Sequence, residues 1–292
     1  MRYRFLLFLC FTFFGVKIAT AQKELLTDSI LVEGHYRTFH FVKSSKPNAM
    51  LIFILHGSGG DGLGTRKGAG KLEEKIDNEN LVLVYPDGYK RYWNECRKTA
   101  NSPANLENIN ENAFFEGMIT YFDRKYLVNT DRVFAVGTSG GGHMAYKLAL
   151  TMPEKLRAVT ALIASLPDTS NMDCIEKKVA LPVMIVNGTD DTTNPYEGGE
   201  VITGKISMGL VRSTERTFQY WATLAGYTKP PVKESLPDTD PTDKKTIERY
   251  TYKEKGKPEV TLLKVIGGHH DYPNDINVYL EALNFFKRQV NP

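Results

Sequence analysis

Residues 137–141 read Gly-Thr-Ser-Gly-Gly, a G-x-S-x-G pattern between an apolar run and a stretch with helical spacing. In that context a serine stands on a tight strand-to-helix turn, where flanking glycines let the strand and helix approach closely and the helix amides face developing negative charge. A serine hydroxyl becomes a useful nucleophile only when a base removes its proton, and the base needs an orienting acid. Where this turn occurs, the three groups follow the chain order Ser, acid, His, and here acid and base fall at the C-terminal ends of strands. The chain supplies both: Asp190 and Asp191 close PVMIVNGTDD, and His269 and His270 close VTLLKVIGGHH. Ser139 is therefore the candidate nucleophile, with one of two aspartates and one of two histidines behind it. Attack on a carbonyl creates an oxyanion that needs preorganised donors. One is expected from the amide of Gly140, and the second from the glycine-rich loop His56-Gly57-Ser58-Gly59-Gly60, at Ser58. That loop lacks the Lys-Ser/Thr pair of a phosphate-binding loop, and His56 within it reads as structural.

These groups need a scaffold that brings strand ends together. Six short apolar runs, at 50–57, 81–88, 132–142, 159–166, 182–191 and 260–268, are continuous rather than alternating, the pattern of strands covered on both faces. Helical spacing fills 113–127, 143–152, 213–225 and 276–290. Alternation of strand and helix predicts a doubly wound, mostly parallel α/β sheet. SILVEG and YRTFHFVK read as an antiparallel hairpin leading into it. The Pro-rich, charged segment 228–258 reads as a surface excursion with a short two-stranded piece at 247–252, and its acidic stretch DTDPTD (238–243) as a solvated turn, because it lacks the glycine and terminal glutamate of a calcium loop.

Residues 1–21 carry two arginines, a short apolar run and Ala19-Thr20-Ala21, the pattern of a cleaved secretory signal; the run is too short for a membrane span. Residues 22–292 are then expected to form a single domain. Cleavage removes three of the 37 basic residues and leaves the chain matched to its 34 acidic ones. Such a balance gives no electrostatic reason to bind nucleic acid or an anionic membrane. Cys96 and Cys174 remain, either as a disulfide or as two thiols.

The ordered motifs LHGSGGDG, VYPDG with Trp93-Asn94, GTSGGGHMAY, GTDDTTNPYEGG and GGHHDYP resemble the secreted esterases that unite polyhydroxybutyrate depolymerase-like and LpqC-like proteins with the feruloyl and acetylxylan esterases of carbohydrate esterase family 1. The resemblance covers most of the chain after the leader, from about Tyr36 to Phe286, and implies an α/β-hydrolase fold, a secreted or periplasmic carboxylic ester hydrolase and no cofactor or metal. Its acid motif, G-T-x-D followed by Pro-Tyr, selects Asp191 and leaves Asp190 as an exposed turn-former. The family's base stands two residues before an aromatic-proline pair; Tyr272-Pro273 select His270 and leave His269 in a loop. The family often has an acidic pair where this chain has Asn110-Glu111, and a cysteine where it has Tyr227. Tyr89, Tyr92 and Trp93 could line a substrate pocket, Trp93 foremost, or pack a loop. The expected substrate is a feruloyl, acetyl or hydroxyalkanoate ester; a secreted serine peptidase and an inactive binding protein on the same scaffold are the rival readings.

Overall fold

The computed structural model describes residues 23–204 and 206–290. The expected secretory signal lies outside the described residues. Among the described residues there are twelve strands: β1 (Leu26–Val32), β2 (His35–Lys43), β3 (Met50–Leu55), β4 (Leu81–Pro86), β5 (Val133–Thr138), β6 (Ala158–Leu162), β7 (Val183–Gly188), β8 (Gly199–Thr203), β9 (Ile206–Val211), β10 (Val232–Ser235), β11 (Thr246–Tyr252) and β12 (Val260–Ile266). Ten of them form one sheet in the order β1-β2-β4-β3-β5-β6-β7-β12-β11-β10. The six central strands are mutually parallel, and antiparallel pairs close both edges.

The continuous apolar runs are explained by two cores, one on each face of the sheet. In β3, Leu51, Phe53 and Leu55 face one core while Met50, Ile52 and Ile54 face the other. The first core is roofed by helices Glu111–Tyr126, Gly140–Thr151 and Thr214–Leu224, the second by Val278–Val290 and the short helices between 62 and 79. Helix Glu111–Tyr126 buries Phe114, Phe115, Met118 and Phe122 at helical spacing, and the Asn110 side chain caps it by accepting from the Ala113 amide at 3.1 Å. Among the described residues no helix is long and apolar enough to cross a membrane.

Two segments differ from the sequence expectation. Residues 228–258 are not simply a surface excursion: β10 and β11 extend the main sheet, with β11 antiparallel to β12 over seven residue pairs. The expected strand at 247–252 is β11; its place in the main sheet and the fully exposed β10 beside it were hidden, since period-two hydrophobicity is weak when one face is solvated. The hairpin β8–β9, directly after the Asp191 loop, was not anticipated either; its inward residues Val201, Met208 and Val211 make a separate small core with Ala100.

Cys96 and Cys174 form a disulfide across 78 residues, tying the loop after β4 to the loop after β6. Closing a loop of that length removes unfolded-state entropy worth about 4.5 kcal/mol in the chain-entropy picture. The double variant Cys96→Ser/Cys174→Ser should therefore melt well below the parent in calorimetry, as should the parent in reductant. An unchanged melting temperature would show the crosslink to be energetically idle.

Candidate active site

β5, β7 and β12 run parallel, so their C-terminal ends share one edge of the sheet. Ser139 follows β5 with φ 53° and ψ −116°, a sparsely populated conformation for a residue with a side chain. Surrounding packing imposes it: the Ser139 amide donates to Leu162 O at 2.9 Å and the next helix starts at once. A Cβ on Gly137 would lie 2.0 Å from Gly141 O, and one on Gly141 would lie 2.4 Å from Leu55 O, so only glycine fits either position.

The structure brings Ser139, His270 and Asp191 into one hydrogen-bonded line. His270 Nε2 lies 3.0 Å from Ser139 Oγ, and His270 Nδ1 lies 2.7 Å from Asp191 Oδ2. The other carboxylate oxygen of Asp191 accepts from the amides of Thr193 and Asn194, each at 2.8 Å. Asp191 is buried and His270 only partly so, which leaves the ring reachable from outside while its carboxylate partner is enclosed. An Nδ1–H donated to Asp191 leaves Nε2 free to accept from the serine. Asp190 is exposed and takes a hydrogen bond from its neighbour Thr189, while His269 is exposed with its ring against Asp190 O at 3.1 Å. Neither reaches Ser139 in this chain of bonds.

Ser58 and Gly140 also converge. A Cβ on Gly140 would lie 2.9 Å from the Ser58 amide nitrogen, so the two backbones touch. Among the described residues neither amide donates to a protein acceptor, which leaves both available to an oxyanion. His56 holds this loop in place: its Nε2 accepts from the Gly88 amide at 2.8 Å and its Nδ1 lies 2.8 Å from Gly57 O. Burial lowers its pKa, so it is a neutral ring bridging two loops.

Trp93 is a correction. It is only 2% exposed, its indole N–H donates to His56 O at 2.9 Å, and its ring packs against His56 and Phe115. It buttresses the loop at 56–60 from behind and is not on an open face. The neighbouring polar run Asn94-Glu95-Cys96-Arg97 was missed as a functional unit because it follows no periodic pattern. Glu95 pairs with Arg97 in the interior, Glu111 pairs with Arg37 and accepts from the Asn94 amide, and Lys147 donates to Asn94 O. Burial pushes both carboxyls upward against the pull of their arginines. Glu111 is thus the acidic side chain behind the site at the position where the family often has a pair.

Tyr272 adds a second tie. Its hydroxyl is hydrogen-bonded to Thr138, the residue before the serine, joining the histidine loop to the elbow. His143, one turn into the helix after Ser139, is fully enclosed, and its Nδ1 has no partner among the described residues. Among the described residues no group of three or more His, Cys, Asp or Glu side chains is arranged to hold a metal.

A mostly parallel sheet flanked by helices, with a serine elbow after the central β5 and the acid and histidine at later strand ends, defines an α/β hydrolase. The chain belongs to the phospholipase/carboxylesterase family, whose model matches residues 37–220, and is a carboxylic ester hydrolase. It is 23% identical over 265 residues to NocK of Nocardia uniformis subsp. tsuyamanensis, named as an esterase, covering 87% of this chain and 76% of that one. It is 30% identical over 115 residues to feruloyl esterase B of Neurospora crassa, covering 38% of this chain and 37% of that one. Among solved structures, the acetyl xylan esterase of Aspergillus awamori superposes with a TM-score of 0.62 at 17% identity, over 90% of this chain and 99% of that one, a likeness of fold.

Burial holds His143 well below the ordinary histidine pKa, with Arg97 and His270 adding to the effect. The unfolded chain takes up this proton near pH 6.5 and the folded one does not, so the associated stability is present above that pH and lost below it. Denaturant melts should weaken from about pH 6.5 downward, and His143→Met should flatten that slope by up to about 1.4 kcal/mol per pH unit. Parallel pH profiles for parent and variant would contradict the assignment.

Proposed function

We propose that this enzyme is a secreted serine carboxylesterase in which Ser139, His270 and Asp191 act as nucleophile, base and orienting acid on feruloyl or acetyl esters of plant polysaccharide. The observation carrying this reading is the unbroken hydrogen-bond chain from Ser139 Oγ through both ring nitrogens of His270 to a carboxylate already satisfied by two amides. His270 Nε2 takes the serine proton as Oγ bonds to the ester carbonyl carbon, and the Ser58 and Gly140 amides donate to the resulting oxyanion. Collapse of the tetrahedral species breaks the bond to the alcohol oxygen, which receives the proton from His270. Water then adds to the acyl-serine by the same route, releasing the acid and restoring Ser139. Asp191 keeps the imidazole in the working tautomer and stabilises its cation. Every step uses this chain's own residues.

The substrate class rests on relatives named as feruloyl esterase B and as a bifunctional acetylxylan esterase/xylanase of Neocallimastix patriciarum. Export to the periplasm or beyond is supported by the leader pattern of residues 1–21 and by the disulfide, which persists in oxidising compartments. The balanced charge of the remaining chain favours a neutral ester-bearing oligomer over nucleic acid or an anionic membrane as its partner.

Ser139→Ala and His270→Ala should each lower kcat by about 10^4-fold or more, whereas His269→Ala should stay within about threefold of the parent. In the same assays methyl ferulate and acetylated xylan should be turned over with a higher kcat/KM than a hydroxybutyrate oligomer. Full activity in Ser139→Ala would refute the mechanism, and a preference for the hydroxybutyrate oligomer would replace the substrate class alone.

A further inference from the structure

The loop that carries His270 has little backbone support of its own. From His269 to Asp275, no residue joins a backbone-to-backbone hydrogen bond among the described residues; the last such anchor is Gly268 O, which accepts from the Asp190 amide. What fixes the loop is side chains, and most of them come from the connection between β10 and β11, the stretch expected to be a solvated turn. Lys245, only 8% exposed, donates from Nζ to Asp271 Oδ1 at 2.8 Å and to Tyr272 O at 3.3 Å, the two residues directly after His270. Asp243 accepts from the Asn274 amide at 2.9 Å and Asp240 from the Asn274 side chain at 2.7 Å. In the other direction, Asp275 accepts from the amides of Thr239 and Asp240 at 2.6 and 3.0 Å.

We propose that Lys245 is a positioning residue for the base, and that the connection Thr239–Lys245 is a clip that keeps His270 within bonding distance of Ser139. The proposal rests on the reading of His270 as the base. A lysine this enclosed is costly to bury unless its ammonium is fully occupied, and here it is occupied by the two residues that follow the histidine. Lys245 immediately precedes β11, which is locked to β12 by seven antiparallel pairs, so its cation refers the loop back to the same strand that delivers His270. Loss of the ammonium leaves the far side of the loop tied only through Asn274 and Asp275, with Tyr272 bound to Thr138 on the near side. A base displaced by a fraction of an ångström still lets substrate bind but transfers its proton poorly, so the cost falls on kcat.

The test compares Lys245→Met, Lys245→Arg and Asp271→Asn with the parent, with Ser139→Ala as the inactive reference. Lys233→Met, at an exposed pair with Glu248 on the neighbouring strands, is the control. Each protein is assayed on p-nitrophenyl acetate, its competent sites counted by fluorophosphonate titration, and its melting temperature recorded. Lys245→Met should lose about tenfold or more in kcat per titrated site with KM within about twofold, Lys245→Arg should recover most of the loss, and Asp271→Asn should lose severalfold. Lys233→Met should match the parent. A parental kcat per titrated site in Lys245→Met and Asp271→Asn, whatever their melting temperatures, overturns the proposal; if Lys245→Met does not fold, Asp271→Asn decides it alone. An active Ser139→Ala would overturn the mechanistic reading instead.

Discussion

The site depends on backbone meeting backbone with no side chain between. A Cβ would clash at Gly137 with Gly141 O at 2.0 Å, at Gly188 with Gly268 O at 2.2 Å, and at Gly140 with the Ser58 amide nitrogen at 2.9 Å. These contacts join the elbow to its own helix, the acid strand to the histidine strand, and the elbow to the oxyanion loop. Each replaces a side-chain layer several ångströms thick, and interiors packed to crystal density cannot absorb even one added carbon without shifting. Ser139 keeps a positive φ because its neighbours leave it no alternative. The hydrogen-bond line to His270 and Asp191 is the consequence of that close approach.

Charge is organised around this frame so that the buried carboxylates already have their partners. Asp191 accepts three hydrogen bonds, two from amides of its own loop, and therefore holds the imidazole without having to rearrange. Behind the oxyanion loop, His56 is neutral and Trp93 fills the space beneath it. Beneath both lie the ion pairs Arg37–Glu111 and Arg97–Glu95, each of which also engages a backbone amide. Buried pairs of this kind contribute little net stability against well-packed apolar substitutes, but breaking one side strands a charge. Their effect here is to fix the loop from Asn94 to Arg97, and with it the Trp93 buttress.

What was legible in the sequence was whatever local chemistry dictates. The six core strands follow from continuous apolar runs and the elbow from its closely spaced glycines, whereas local chemistry left two aspartates and two histidines open and only the resemblance to the esterase family, through Pro195-Tyr196 and Tyr272-Pro273, pointed to Asp191 and His270. Each strand ends a little earlier than its apolar run because the last residues turn into the loops that carry the site; the run at 50–57 gives β3 only as far as Leu55. Long-range contact was not legible. Trp93 looked like a pocket residue because an exposed and a buried aromatic are identical in sequence; only its bond to His56 O tells them apart. Asp240 and Asp243 looked solvated, and Lys245 was not singled out, because their partners lie some thirty residues further on, in the histidine loop.

The central claim is that Ser139 forms a covalent acyl intermediate driven by His270. Intact-protein mass spectrometry, followed by peptide mapping after brief exposure to p-nitrophenyl acetate and acid quench, tests it most directly. The account predicts one acetyl group per chain, located on Ser139, and none in the His270→Ala variant. Acetylation at another residue, or undiminished labelling without His270, would contradict it.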